Sequence, residues 1–287
     1  MKEKLKTASF IIPACLVYII IVLYPTIYSI VISFTKWNGV GEKTFVGLNN
    51  YINLFLNDDL FLKSLKNTVI WTIWTVLFTV ILALLLALAL NKRFKGRLVY
   101  RAIFYFPNML SWIIVGIVWK WMYNPNFGMI NSVLSTLHLD SLRGAYLTNT
   151  SIALFCVYIA ALWQGIGQPM LYFLAGLQTL PSDVMEAARI DGAGAINCFF
   201  RVTVPMLKET FVIVLATQII AALKVYDIIY VMTDGGPANS TQTLATYMYN
   251  QTFTFNNLGT GSAIATVMVI IMMVFIVPYI AFTMKED

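Results

Sequence analysis

Six apolar runs divide this chain, at residues 10–34, 67–90, 102–122, 151–174, 211–232 and 259–284. About 20 apolar residues in a helix cross the hydrocarbon layer of a bilayer, so each run is long enough to span it. The helix is the form such a run must take, because backbone N–H and C=O groups in hydrocarbon have to be satisfied within the segment. Of the 287 residues, 59% are apolar and 11% are charged, against roughly 45–50% and about 25% in soluble domains. The expected fold class is therefore all-α integral membrane, with six transmembrane helices in one domain covering residues 1–287. The first run is too long for a signal-peptide core, and no small-residue cleavage site closes it. Pro13 and Pro25 are expected to bend it.

Lys and Arg orient the spans, since cytoplasmic segments carry the excess. With the N-terminus inside, the inner segments hold Lys2, Lys4, Lys6, Lys92, Arg93, Lys95, Arg97, Arg101, Arg189, Arg201, Lys208 and Lys285. The outer segments hold Lys36, Lys43, Lys63, Lys66 and Arg143. Twelve against five predicts both termini in the cytoplasm, and the location is the cell membrane. Cys15, Cys156 and Cys198 have no partners at ligand spacing, and His138 is the sole histidine. No metal site and no catalytic cluster is expected.

The inner loop at 178–209 is about three times longer than the basic inner loop at 91–101. It reads as two short helices. Pro181 opens the first, with its missing N–H among the helix's orphan donors, Asp183 sits in the first turn, and Gly192 and Gly194 close it. A second stretch near 196–203 is limited by Pro205. This loop carries EAARIDGAGAINCFFRVTVP from Glu186 to Pro205. The pattern resembles the cytoplasmic "EAA" signature of permease subunits of binding-protein-dependent ABC importers. Glu186, Ala187 and Ala188 open it, Asp191 and Gly192 continue it, and Val204 and Pro205 close it. FVGLNNY at 45–51 and YDIIYVMTDGGPANST at 226–241 are similar to the sugar-importer branch, of the maltose, glycerol-phosphate and multiple-sugar type.

The resemblance implies a cytoplasmic coupling helix between the fourth and fifth spans. It also implies a second, related permease, two ATPase subunits and an extracytoplasmic solute-binding protein. Glu186, Ala187, Ala188, Asp191, Gly192 and Pro205 are then the residues that couple to the ATPase. Small side chains at 187 and 188 let the helix approach a groove closely. There is no G-x-x-x-x-G-K-[ST] phosphate loop in the sequence, so this chain is not expected to be an enzyme. ATP and Mg belong to the partner ATPase, and no cofactor is expected here. A permease for phosphonate, an amino acid or a metal carries the same signature, and an ion-coupled transporter is the rival from another class.

A sugar needs donors and acceptors for its hydroxyls and aromatic faces for its C–H surfaces. Inside the spans these are Asn108, Ser111 and Trp112 in the third, Trp163, Gln164, Gln168 and Tyr172 in the fourth, and Gln218, Tyr226 and Tyr230 in the fifth. The stretch WQGIGQP at 163–169 concentrates polar groups where two Gly and a Pro are expected to loosen the helix. Lys224 and Asp227 are the most expensive residues, at about 2.5–3.5 kcal/mol each near mid-bilayer. Their spacing predicts one helix face and a mutual ion pair. The loop beginning Gly235, Gly236, Pro237 is expected to be exposed and, by the resemblance, to reach toward the binding protein.

Overall fold

The computed structural model describes residues 11–283. Phe10, Met284 and the terminal cations Lys2, Lys4, Lys6 and Lys285, all used in the sequence argument, lie outside the described residues. In chain order, α1 (Ile11–Ser33) leads into a short antiparallel ribbon of β1 (Thr35–Lys36) and β2 (Thr44–Phe45). Next come α2 (Asn49–Leu56), α3 (Asp59–Asn91), α4 (Arg97–Met109), α5 (Trp112–Met122) and α6 (Met129–Thr136). They are followed by α7 (Ala153–Gly165), α8 (Gly167–Thr179), α9 (Ser182–Ile190), α10 (Ala195–Met206) and α11 (Lys208–Leu223). The last are α12 (Asp227–Thr233), α13 (Leu244–Tyr249) and α14 (Leu258–Thr283).

Three of these, α1, α3 and α14, are long and apolar enough to cross a membrane alone. Three more crossings arise if each bent pair counts once: α4 with α5, bent by 98°, α10 with α11, bent by 71°, and the segment 140–148 with α7, bent by 91°. The bends have local causes. After a 3-10 turn at Phe106–Met109, Leu110 is extended at ψ 146° and Ser111 restarts the chain as an N-cap, its hydroxyl accepting from Ile114 N–H at 3.3 Å. α3 starts at Asp59, earlier than residue 67 as read from hydropathy. Asp58 caps it, Oδ1 accepting from Phe61 N–H at 2.9 Å, which satisfies one of the four orphan donors of a helix start. The second stretch of the long loop, read near 196–203 with Pro205 as its limit, is α10, which ends one residue past Pro205 at Met206, and the bend comes at Leu207.

The WQGIGQP stretch is where the helix is interrupted: α7 ends at Gly165 and α8 starts at Gly167, with Ile166 between them in right-handed geometry (φ −70°, ψ −25°). Gly167 serves close packing, because a Cβ there would lie 2.8 Å from the Phe104 carbonyl oxygen. Small residues at helix crossings in membranes permit such approach.

The chain packs as two compact units. The first comprises the residues up to Leu62 with Tyr247–Ile271. In it, Asn50 Nδ2 donates to the Ser33 and Thr35 carbonyls at 2.7 and 2.9 Å. The Tyr247 hydroxyl donates to Asp58 Oδ2 at 2.5 Å, and burial followed by the Asp58 carboxylate pushes this phenol well above its ordinary range. The second unit comprises Lys63–Thr246 with the residues from Met272. Its core has two apolar clusters. One gathers Trp71, Val115, Val157, Ile229 and Met232, and the other Val80, Ala83, Met170, Phe173, Leu207 and Val214.

Candidate functional site

The break in the fifth run is the feature that builds the site. α11 ends at Leu223 and α12 begins at Asp227, with Lys224, Val225 and Tyr226 between them. Tyr226 takes φ −136° and ψ −64°, outside helical geometry. The three-residue spacing of Lys224 and Asp227 therefore does not place them on one helix face. No ion pair joins them: among the described residues the salt bridge found is Arg143 with Asp140, at 3.0 Å. The helix ends supply a reason. Lys224 caps the C-terminus of α11 and Asp227 stands in the first turn of α12, so each charge meets the favourable end of a macrodipole.

Both charges line a cavity of about 450 Å³ in the second unit. Asn108 and Trp112 reach it from the α4–α5 bend, Gln164 and Gln168 from α7 and α8, and Tyr226 from the break. Trp112, Gln168, Lys224 and Asp227 are exposed, which leaves the cavity open to the surface of the chain. Gln164 is buried. Its Nε2 donates to the Leu110 carbonyl at 3.1 Å, while its Oε1 has no hydrogen-bond partner. The arrangement offers amide donors and acceptors, one cation, one anion and flat aromatic faces around a volume suited to a small polar solute.

Other sequence candidates lie elsewhere. Trp163 is exposed and packs edge-on to Trp119, with ring centroids 6.0 Å apart. Tyr172 accepts a hydrogen bond from Gln168 Nε2 at 2.9 Å and does not line the cavity. Tyr230 stacks on Tyr226 at 5.3 Å and 17° and is a backing residue, not a wall. Sequence reasoning missed the opposite wall, where Trp71, Thr75 and Thr79 of α3 face Tyr158 of α7. The Thr79 and Tyr158 hydroxyls are 2.9 Å apart, and the Tyr158 hydroxyl also meets the Trp74 carbonyl at 2.6 Å. A signal existed, because Trp71, Thr75 and Thr79 recur every four residues on one helix face.

The long loop carries a helix at Ser182–Ile190. Ala193 N–H donates to the Ala188 carbonyl at 3.0 Å across Gly192, which sits at φ +81°. This is a Schellman closure, and its left-handed residue is normally glycine. Glu186, Ala187, Asp191 and Gly192 are exposed and Ala188 is half-buried. Apolar side chains stand out beside them: Ile190 is 85% exposed, Ile196 74% and Phe200 64%. Pro205 is exposed as well.

The loop after α12 is a correction to the sequence reading. Gly235 is buried, Gly236 and Pro237 are half-buried, and every residue from Ser240 to Tyr247 is buried. Only Asp234, Ala238 and Asn239 stand exposed there. Most of its polar groups are bonded within the fold, the buried Ser240 hydroxyl being the exception. Asn67 Nδ2 donates to the Ser240 and Gln242 carbonyls at 3.0 and 2.8 Å, and Leu244 N–H donates to Thr68 Oγ1 at 2.9 Å.

Comparison with known proteins adds the following. The family model described as "Binding-protein-dependent transport system inner membrane component" matches residues 79–283. The trehalose/maltose transport system permease protein of Thermococcus litoralis is 35% identical over 94% of this chain and 90% of its own length. The multiple sugar-binding transport system permease protein of Streptococcus mutans is 32% identical over 92% of this chain and 90% of its own. The fold matches a chain in the crystal structure of a bacterial alginate ABC transporter in complex with an alginate pentasaccharide-bound periplasmic protein. That match has a TM-score of 0.84 and 21% identity, and covers 97% of this chain and 93% of the other.

Proposed function

The chain belongs to the family of binding-protein-dependent transport system inner membrane components, and from that membership we propose that it is one permease subunit of an ATP-driven importer for a sugar or oligosaccharide. It is a multi-pass membrane protein of a transporter family. The relatives named for trehalose/maltose and for multiple sugars support the solute class. The observation that carries the proposal is the cavity of about 450 Å³ at the break in the fifth span, where amides, aromatic rings and two unlike charges converge. Solute hydroxyls would meet Asn108, Gln164 and Gln168, and C–H faces would rest on Trp112 or Tyr226. The exposed lining leaves room for a second, related permease to complete the wall.

Both termini lie in the cytoplasm on this reading, and so does α9. Two ATPase subunits bind ATP and Mg, so hydrolysis happens outside this chain. Their surface receives α9 through Glu186, Ala187 and Ala188, with Asp191, Gly192 and Pro205 shaping the exit. The exposed Ile190, Ile196 and Phe200 are apolar area that a partner would cover. A solute-binding protein delivers the sugar from outside, and the exposed tip Ala238–Asn239 is the part of the 233–243 loop it would meet. Gly235 is too deep to touch it, and Gly236 and Pro237 offer only their half-exposed edges. ATP binding closes the engine, α9 moves with it, and the spans change which side the cavity opens to.

The test is uptake of labelled maltose and trehalose into vesicles holding this chain, its partner permease, the ATPases and the binding protein. ATP-dependent uptake that falls about tenfold in Asp227→Asn is expected, in line with loss of a charged contact in a solute path. Uptake that proceeds without nucleotide and collapses with an ionophore would overturn the reading in favour of an ion-coupled transporter.

A further inference from the structure

We infer that Thr243 is a positioning residue for the solute cavity, holding the Val225 carbonyl and thereby fixing the break that turns Lys224 and Asp227 toward the lumen. The inference rests on the cavity being the solute path.

Breaking a helix inside a membrane strands carbonyl groups, and each must be met by protein or by water in a cavity. At this break the Ala221 and Ala222 carbonyls accept from Lys224 and Val225 N–H at 3.3 Å each, and the Tyr226 carbonyl accepts from Tyr230 N–H at 2.9 Å. The Val225 carbonyl is met from another part of the chain, where Thr243 Oγ1 donates to it at 3.1 Å. Thr243 is 1% exposed, so water does not compete for the bond.

In that bond Thr243 can only donate, because a carbonyl oxygen accepts, and the rest of the residue is held by Thr246. Its Oγ1 accepts from Thr243 N–H at 2.8 Å and donates to the Thr243 carbonyl at 2.9 Å. A hydroxyl has one proton to give. With the Thr246 proton on the Thr243 carbonyl, the Thr243 proton has two acceptors within reach, the Val225 carbonyl at 3.1 Å and Thr246 Oγ1 at 3.2 Å. The segment is anchored in turn on α3, through Asn67 to Gln242 and Thr68 to Leu244. Asn67 begins the same four-residue series as Trp71, Thr75 and Thr79, so one face of α3 holds the anchor at one end and the cavity wall beyond it. Hydrogen bonds thus tie the break to the loop and the loop to α3, the helix that also carries the wall.

The experiment uses the complete importer reconstituted in vesicles. Thr243→Val keeps the shape and removes the hydroxyl, and Thr243→Ser keeps the hydroxyl. The first readout needs no solute: Asp227→Cys is introduced with Cys15→Ser, and its labelling by a negatively charged thiosulfonate is timed. T243V is expected to change that rate by about fivefold, the equivalent of one net hydrogen bond, and T243S to leave it unchanged. The second readout is labelled maltose and trehalose taken up per ATP hydrolysed, in chains that keep Asp227. T243V lowers it by about fivefold, T243S restores it, and the losses in T243V and Lys224→Gln do not multiply when combined.

Equal labelling in T243V and the unaltered chain, equal loss in T243V and T243S, or losses that multiply with K224Q would overturn the inference. Should T243V fail to assemble, Thr246→Val takes its place. It takes the acceptor from Thr243 N–H and the donor from the Thr243 carbonyl, loosening the residue that holds Val225, and a labelling rate unchanged there overturns the inference too. An unaltered importer without ATP-dependent uptake of these sugars counts against the proposed function, and the labelling readout then decides this inference by itself.

Discussion

Two loops of the second unit flank α11, and they solve opposite problems. The loop carrying α9 leaves apolar side chains in the open, with Ile190 85% and Ile196 74% exposed. The loop after α12 hides polar ones, with Thr241 0%, Gln242 1% and Thr243 1% exposed. Uncovered apolar area on a folded chain is free energy left for a partner to collect. Buried hydroxyls and amides are tolerable only when hydrogen-bonded within the fold, and here Asn67, Thr68 and Thr246 bond them. The first loop thus leaves apolar area uncovered in the chain alone, whereas the second is buried and bonds its polar groups within the chain, the Ser240 hydroxyl excepted. Substitutions should separate the two: damage to the second loop lowers the stability of this chain, and damage to the first spares stability and lowers assembly.

The sharpest blow to the buried loop is at Gly235. It sits at φ +81°, and a Cβ would fall 1.8 Å from Gln242 Oε1. Gly235→Val is expected to cost about 2–4 kcal/mol, combining a left-handed β-branched residue with an overpacked contact. The measurement is the thermal midpoint of the purified chain in detergent, and a midpoint unmoved by G235V would mean the loop is not packed as described. Asn67→Ala comes next. It takes the donor from two carbonyls, at Ser240 and Gln242, and is expected to cost about 2 kcal/mol. Asn239→Asp, at the exposed tip of the same loop where φ is +56°, keeps a side chain that tolerates that conformation and should stay within about 0.5 kcal/mol. Equal effects of the two would erase the distinction between anchor and tip.

Gly192 carries the contrast to the other loop. Its φ is also +81°, yet nothing lies within 4 Å of where a Cβ would be. Gly192→Ala should therefore cost only about 1 kcal/mol, the backbone penalty alone. Uptake in the assembled importer should fall several-fold more than this loss of stability accounts for, because α9 would leave its Schellman closure at a different angle. Uptake equal to that of the unaltered importer would remove α9 from the coupling path.

How much of this was legible in the sequence follows from the range over which each signal acts. Hydropathy works on whole runs, so it picked out the apolar segments, of which three are single helices able to cross and three more are crossings only if each bent pair counts once. Helix punctuation acts over a few residues, so Pro181, Asp183 and Gly192 placed α9 close to Ser182–Ile190. The cavity needed more. Asn108, Trp112, Gln164, Gln168, Lys224, Tyr226 and Asp227 could be listed as polar or aromatic residues in apolar runs. Their convergence depended on the breaks at Leu110 and at 224–226, which come from tertiary bonds such as Thr243 to the Val225 carbonyl. The same break spoiled the Lys224–Asp227 pairing, because an i to i+3 argument assumes a continuous helix. The loop at 233–243 misled for a related reason. Turn-forming, uncharged residues usually mark surface, and its burial rests on Asn67, more than 170 residues away in sequence.

The smallest expected change in the chain itself is also the most discriminating for its partner. Ile190→Ser removes an apolar side chain that is 85% exposed, so little of it leaves water when this chain folds. The thermal midpoint of the isolated chain should move by no more than about 0.5 kcal/mol of equivalent stability. If α9 seats in an ATPase groove, the same side chain is buried on assembly, and losing it forfeits about 1.5–3 kcal/mol of transfer free energy. That is roughly a tenfold to hundredfold weaker hold, read directly as ATPase retained on the purified importer across a dilution series. If Ile190 instead rests in the lipid headgroup region, retention is unchanged and only partition into vesicles falls. One substitution thus asks whether the exposed apolar face of this loop belongs to a protein groove or to the membrane surface, while leaving the buried loop and the cavity as they were.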